Sequence, residues 1–186
     1  MTTHAALAGA VSADRWSADE ALEELYAAHW RQLVRLGVLL VRDVGTAEEV
    51  AQDAFVAMHG RWGKLRDNDK ALAYLRQAVV NRSRSVLRHR VVVDRHVRAE
   101  AARSEPTAPD ADTGMLDAAR RSAVLDALGQ LPDRQREVLV LRHYLNLSEA
   151  EIAEALGIAR GSVKSHASRG SAALRDLLGD VWKDES

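Results

Sequence analysis

The chain has 186 residues, 47% of them hydrophobic and 28% charged, with a net charge of −1. That length suits one ordinary domain or two small ones, and the near-neutral total carries no global nucleic-acid signal, so any basic surface must be local. There is no cysteine, which excludes disulfides, thiol redox chemistry and cysteine-based zinc sites.

Residues 1–16, MTTHAALAGAVSADRW, are small, polar and aperiodic, and read as a flexible tail. They lack the basic start and sustained apolar run of a signal peptide. No stretch approaches the roughly 20 apolar residues that span a bilayer. A cytoplasmic protein without membrane insertion is expected.

Ser17 and Glu20 form a capping box, after which Leu22, Leu25, Tyr26, Trp30, Leu33, Leu36 and Leu40 recur at helical spacing. Gly45 and Thr46 break the pattern, and Thr46 with Glu49 predicts a second helix start. That helix carries Val50, Ala54, Phe55, Met58 and Trp62 on one face, with Glu48, Glu49, Gln52 and Asp53 elsewhere. After a polar connection at 63–68, a third helix is predicted from about Asp69, with Leu72, Leu75, Val79, Val86 and Leu87 as its apolar side. The β-branched run RVVVD has no partner strand, so residues 17–98 are predicted to be three long helices on one core.

Residues 99–115, AEAARSEPTAPDADTGM, are acidic, contain Pro106 and Pro109, and hold few apolar residues; they read as a flexible linker. Beyond it, Leu116, Ala119, Ala123, Val124, Ala127 and Leu128 make an amphipathic helix. Leu131 and Pro132 end it and allow another from Asp133 to about Tyr144. Residues 116–180 thus form a second small helical domain, and the fold class is all-α.

The stretch Ser148 to Leu174 closes that domain. Ser148 and Glu151 form a capping box, Ile152, Ala153 and Leu156 share a face, and Gly157 supplies a left-handed stop. A second helix follows from about Arg160, with Val163 directed inward, which is a helix-turn-helix pattern. The first helix holds Glu149, Glu151 and Glu154, whereas the second holds Arg160, Lys164, His166, Arg169 and Arg175. This charge sorting suits a supporting helix above DNA and a recognition helix in the major groove. An αα-hairpin with solvated charges is the plainer alternative.

Between Gly60 and Arg98 eleven basic residues face three acids, a local excess of eight hidden by acids elsewhere. Arg76, Arg84 and Arg88 are spaced by eight and four and can line one helical face. With Trp62 and Tyr74 nearby, such a face can hold phosphates by counterion release and stack unpaired bases at about 1–3 kcal/mol each. Alternatively, Trp62 and Tyr74 belong to the core and the basic face is solvated. The acidic face of the preceding helix suits a basic protein surface, or solvent.

The segments TAEEVAQDAFVAMHGRW, AYLRQAVVNRSRSVLRHR and LPDRQREVLVLRHYLNLSEAEIAEALGIARGSVKSHASRGSAALR resemble the bacterial sigma-70 family. Within it the chain is most similar to the two-domain extracytoplasmic-function sigma factors, SigE-like actinobacterial subgroup. The resemblance runs from about Ala21 to Leu178 and implies a region 2-like bundle and a region 4-like helix-turn-helix domain. It implies that Glu48, Glu49, Gln52, Asp53 and Phe55 bind the β′ clamp helices of core RNA polymerase. Arg61, Trp62, Lys64, Arg66 and Tyr74 fall in the segment that helps melt the −10 element. Arg76, Asn81, Arg84 and Arg88 fall in the segment that reads it, Asn81 beside the pocket for a flipped base. Arg160, Ser162, Lys164, Ser165, His166 and Arg169 fall on the helix inserted at the −35 element. The partners so implied are core polymerase (β′ clamp helices and β flap), double-stranded −35 and single-stranded −10 promoter DNA, and a candidate anti-sigma factor.

The linker permits this division: 17 residues at about 3.3 Å each reach at most ~56 Å. At about 3.4 Å per base pair that is roughly 16 base pairs. A compact linker could equally fold the domains together and hide both surfaces. A stand-alone helix-turn-helix regulator with a sensing or dimerising first domain is the alternative function. The seven histidines show no H-E-x-x-H spacing, and no phosphate loop or nucleophile elbow is present, so neither catalysis nor a metal or other cofactor is expected.

Overall fold

The computed structural model describes residues 18–62, 70–97 and 115–183. The tail at 1–16, the connection at 63–68 and nearly all of the predicted linker lie outside the described residues. Among these, the chain forms α1 (Ala18–Val41), α2 (Val44–His59), α3 (Ala71–Val97), α4 (Met115–Gln130), α5 (Asp133–His143), α6 (Glu149–Leu156) and α7 (Arg160–Lys183). No strand occurs among the described residues, and RVVVD continues α3. The all-α expectation is met.

In the first bundle the apolar stripes of α1, α2 and α3 meet through Leu33, Leu36, Leu40, Val50, Ala54, Met58, Leu75 and Val79, all at most 3% exposed. Burying each leucine stabilises the fold by about 1.5–3 kcal/mol. Helices α1 and α2 approach closely because Gly37 lies against Ala47; a Cβ there would come within 2.9 Å of the Ala47 Cβ. The break between them differs from the sequence expectation. Arg42 takes a positive φ of 65°, and Asp43, not Thr46, caps α2. The Asp43 carboxylate accepts from the Thr46 amide at 2.7 Å and from the Thr46 hydroxyl, and these bonds hold its pKa below the usual range. Thr46 is therefore a donor inside the first turn. Arg90 of α3 closes the corner, donating to the Val41 carbonyl at 3.1 Å and the Thr46 hydroxyl at 2.6 Å.

In the second bundle Leu131, Val138, Leu141, Ile152, Leu156 and Val163 form the core. The Ser148–Glu151 capping box is present in full: the Ser148 hydroxyl accepts from the Glu151 amide, and the Glu151 carboxylate accepts from the Ser148 amide at 2.8 Å. Gly157 ends α6 at φ 64°, a left-handed conformation that costs glycine least. The Ser148 hydroxyl and then its amide hold the Glu151 carboxyl below its usual pKa. A depressed carboxyl stabilises the fold above its unfolded pKa, and that contribution is lost as pH falls through the folded value. Ser148→Ala removes the N-cap acceptor and should lower stability near neutral pH. Urea titrations on both chains should show that difference shrinking as the solution is acidified through the carboxylate range.

The two bundles pack against each other, α1 on α4 and α5, and α3 on α6, and their buried residues form one connected cluster. The Tyr144 hydroxyl of α5's C-cap donates to the Gln32 carbonyl of α1 at 3.2 Å, and burial pushes its pKa up. Arg42 and Asp126 form an ion pair across the same junction.

Candidate nucleic-acid interface

Helix α7 separates its two sides cleanly. Val163, Ala167 and Gly170 are buried on the side of α7 that packs against α4, α5 and α6. Arg160, Lys164, Ser165 and Arg169 are exposed on the opposite side, and Ser162 is half-buried. The Lys164 side chain is 70% exposed and its ammonium lies 3.9 Å from the Glu149 carboxylate, which Arg142 approaches to 3.8 Å. Arg169 donates its Nε to the Ser165 carbonyl at 3.3 Å. His166 departs from the rest: its ring is half-buried, with Nδ1 enclosed and without a hydrogen-bond partner. The sequence reading missed Ser168 and Arg142, both exposed and lining a shallow cleft with Lys164 and Glu149. Ser168 was legible as the i+4 neighbour of Lys164, whereas Arg142 joins the surface only through tertiary packing.

The basic segment is less open. Lys64 and Arg66 lie outside the described residues. Arg61 is exposed, its guanidinium carbon 5.8 Å from the centre of the Tyr74 ring. Trp62 and Tyr74 are both half-buried and packed against the core, so each serves the fold while keeping an accessible edge. Arg76 is half-buried, its Nε enclosed without a hydrogen-bond partner; desolvation lowers its pKa, with the Glu151 charge opposing. Asn81 and Arg88 are exposed, Arg88 donating to the Ser85 hydroxyl at 3.3 Å. Arg84 is not an open cation: it binds Glu137 of α5 through two hydrogen bonds of 2.9 Å.

On α2, Glu48, Glu49, Gln52 and Asp53 are exposed, Asp53 pairing with Arg82 of α3 at 2.7 Å. Phe55 does not share that surface. It is 4% exposed, under Tyr26 and Trp30 of α1, with ring centroids at 5.1 and 6.2 Å. Buried there, its ring is not available for the direct docking expected of it. In its place the sequence reading overlooked Val56, 65% exposed, one turn after Gln52 on the same face. No helix among the described residues is long and apolar enough to cross a membrane, and no group of three potential metal ligands occurs among them.

Residues 6–91 match the family model of sigma-70 region 2, and residues 121–174 that of sigma-70 region 4. The RNA polymerase sigma factor CarQ of Myxococcus xanthus is 32% identical over 168 residues, covering 90% of this chain and 94% of that protein. The ECF RNA polymerase sigma factor SigM of Mycobacterium tuberculosis is 35% identical over 180 residues, covering 93% and 83%. The chain belongs to the sigma-70 family of RNA polymerase sigma factors, in its extracytoplasmic-function group. The fold agrees: the sigma factor RpoE of Bartonella quintana, solved with the anti-sigma factor NepR, superposes with a TM-score of 0.69 at 23% identity, covering 84% of this chain and 96% of that one. In this sigma factor the region 2 match covers α1, α2 and most of α3, and the region 4 match runs from within α4 into α7. It functions in transcription initiation by RNA polymerase.

Proposed function

We propose that this sigma factor divides initiation among three surfaces. The acidic face of α2, with Val56 at its centre, docks on a basic surface of core polymerase, the β′ clamp helices. The exposed side of α7 enters the major groove at the −35 element. Helix α3 with Arg61 and Tyr74 holds the −10 element once its bases are unpaired, and the second domain reaches the β flap. One observation carries the reading: α2 and α3 present acidic and basic surfaces from a single bundle, with Asp53 and Arg82 paired at their boundary. A stand-alone regulator has no need of that pairing. No bond is made or broken on this chain; it works in the cytoplasm beside the polymerase, and an anti-sigma factor is its expected antagonist.

Mixing the purified chain with core polymerase and a candidate promoter should give specific initiation that core alone does not. Absence of binding to core would sink the proposal.

A further inference from the structure

Between α3 and α6 lies a cleft of about 390 Å³, lined by Tyr74, Arg76 and Gln77 of α3, by Leu147, and by Glu151 and Ala155 of α6. Ligand pockets run from roughly 300 to 1,000 Å³ and are mostly apolar, with a few polar groups set among the apolar ones. This cleft has that composition. Tyr74, Leu147 and Ala155 are half-buried and supply the apolar wall, and exposed Lys70 lines it as well.

The Arg76 guanidinium is the unsatisfied group in that wall. Its Nε is enclosed with no hydrogen-bond partner, and desolvation, the larger influence on the group, pushes its pKa down. Glu151 does not answer it from across the cleft. That carboxylate is turned to its own helix cap, accepting from the Ser148 amide at 2.8 Å and the Ser148 hydroxyl at 2.6 Å. Among the described residues no ion pair joins it to Arg76. An enclosed donor without a partner is destabilising, and more so when it is charged. Arg84, two turns further along α3, has its counter-charge in Glu137. Arg76 has none.

We propose that the cleft is a binding site for a small amphipathic anion. Its apolar, ring-sized body lies against Tyr74, Leu147 and Ala155, and its carboxylate or phosphate head sits on Arg76 with Lys70 as the second cation. Such oxyanions match the guanidinium fork. Glu151 and Glu154 on the opposite wall turn away ligands that carry a second anionic group at the far end. Arg76 and Tyr74 also belong to the proposed −10 surface. On that reading of α3, the ligand and unpaired −10 DNA exclude each other.

Naphthoate, naphthyl phosphate and neutral naphthol serve as probes, titrated into the full chain by calorimetry. At least one of the two anions should bind with a Kd of about 1 mM or lower, the tighter of them identifying the head group, and naphthol at least tenfold more weakly. Arg76→Gln should weaken the anion at least tenfold and leave Tm unchanged or higher, because it removes a desolvated cation that no neighbour satisfies. Ala155→Leu, which narrows the cleft without changing its charge, should weaken all three probes. Saturating anion should lower affinity for a single-stranded −10 oligonucleotide several-fold and leave −35 duplex affinity as before. Binding of neither anion, equal binding of naphthol, or binding that survives Arg76→Gln overturns the site. So does a fall in Tm with Arg76→Gln, since the guanidinium is then spent on the fold. Arg76-dependent binding that leaves the oligonucleotide undisturbed upholds the site and overturns the proposed −10 role of α3 instead.

Discussion

Replacing Glu49 and Gln52 by lysine should lower affinity for core polymerase about 100-fold, at roughly 1.4 kcal/mol per tenfold. Both side chains are exposed on α2 and lie three residues apart, so they face the same partner surface. The double change removes one negative charge and adds two positive ones where a basic partner surface is expected, and like charges brought together at an interface cost several kcal/mol. Stability should barely move, since exposed substitutions away from caps and buried pairs stay within about 0.5 kcal/mol. Surface plasmon resonance on immobilised core, with thermal unfolding alongside, separates the two effects. Val56→Ser is the companion variant. Its 65% exposure leaves it idle in the free chain, so its removal should weaken docking about tenfold, or some 1.4 kcal/mol, with no loss of stability. A fall in −35 duplex affinity with either variant would show that α2 acts through the second domain rather than by docking.

The helix-turn-helix was legible because its determinants are local. Ser148 and Glu151 are three residues apart and Gly157 acts on its own φ, so no distant residue can change their meaning. The start of α2 was misplaced by an equally local competition. Asp43 and Thr46 are both good capping residues, and periodicity alone does not decide between them; Arg42 taking φ 65° puts the turn before Asp43. Phe55 shows a different limit. It sits next to Ala54 on the apolar side, and an aromatic there can either support a face or present itself on one. Only the arrival of Tyr26 and Trp30 from α1 decides it.

The charge pattern of α3 was legible and its partner was not. Spacing by eight and four predicts Arg76, Arg84 and Arg88 along one side, but spacing is silent about what that side meets. Glu137 lies 53 residues from Arg84 in sequence, at the end of the polar run DRQRE that precedes VLVL, where a carboxylate is expected to turn outward. It is 4% exposed because two arginines satisfy it there. Buried charges persist only when paired and hydrogen-bonded, so the burial of Glu137 implies the cations beside it, and burial is what the polar run in the sequence did not announce. Arg90 carries the same lesson with the opposite sign: counted with the basic surface, it is spent on the Val41 carbonyl and the Thr46 hydroxyl.

Lys164→Ala combined with Arg169→Ala should weaken −35 duplex binding about 100-fold and leave core association intact. The Lys164 contact with Glu149 is a surface pair at 3.9 Å with the lysine side chain 70% exposed; such pairs are worth at most about 1 kcal/mol, so DNA competes for the lysine easily. Arg169, its Nε held on the Ser165 carbonyl, is oriented along the helix before any ligand arrives. Each contact to a guanine edge is worth about 1–3 kcal/mol, so two contacts reach the expected loss. Salt dependence identifies what they touch. If both bind phosphates, the slope of log K against log salt should fall by about two and sequence preference should persist; if both bind bases, preference relaxes instead. His166→Ala is the contrasting substitution. With Nδ1 enclosed and the residue half-buried, the ring is part of the packing of α7. Its loss should therefore register in unfolding free energy, whereas the Lys164 and Arg169 changes should not. If core association falls in parallel with duplex affinity for the double variant, α7 is not a dedicated reader, and the separation of surfaces between the two bundles fails.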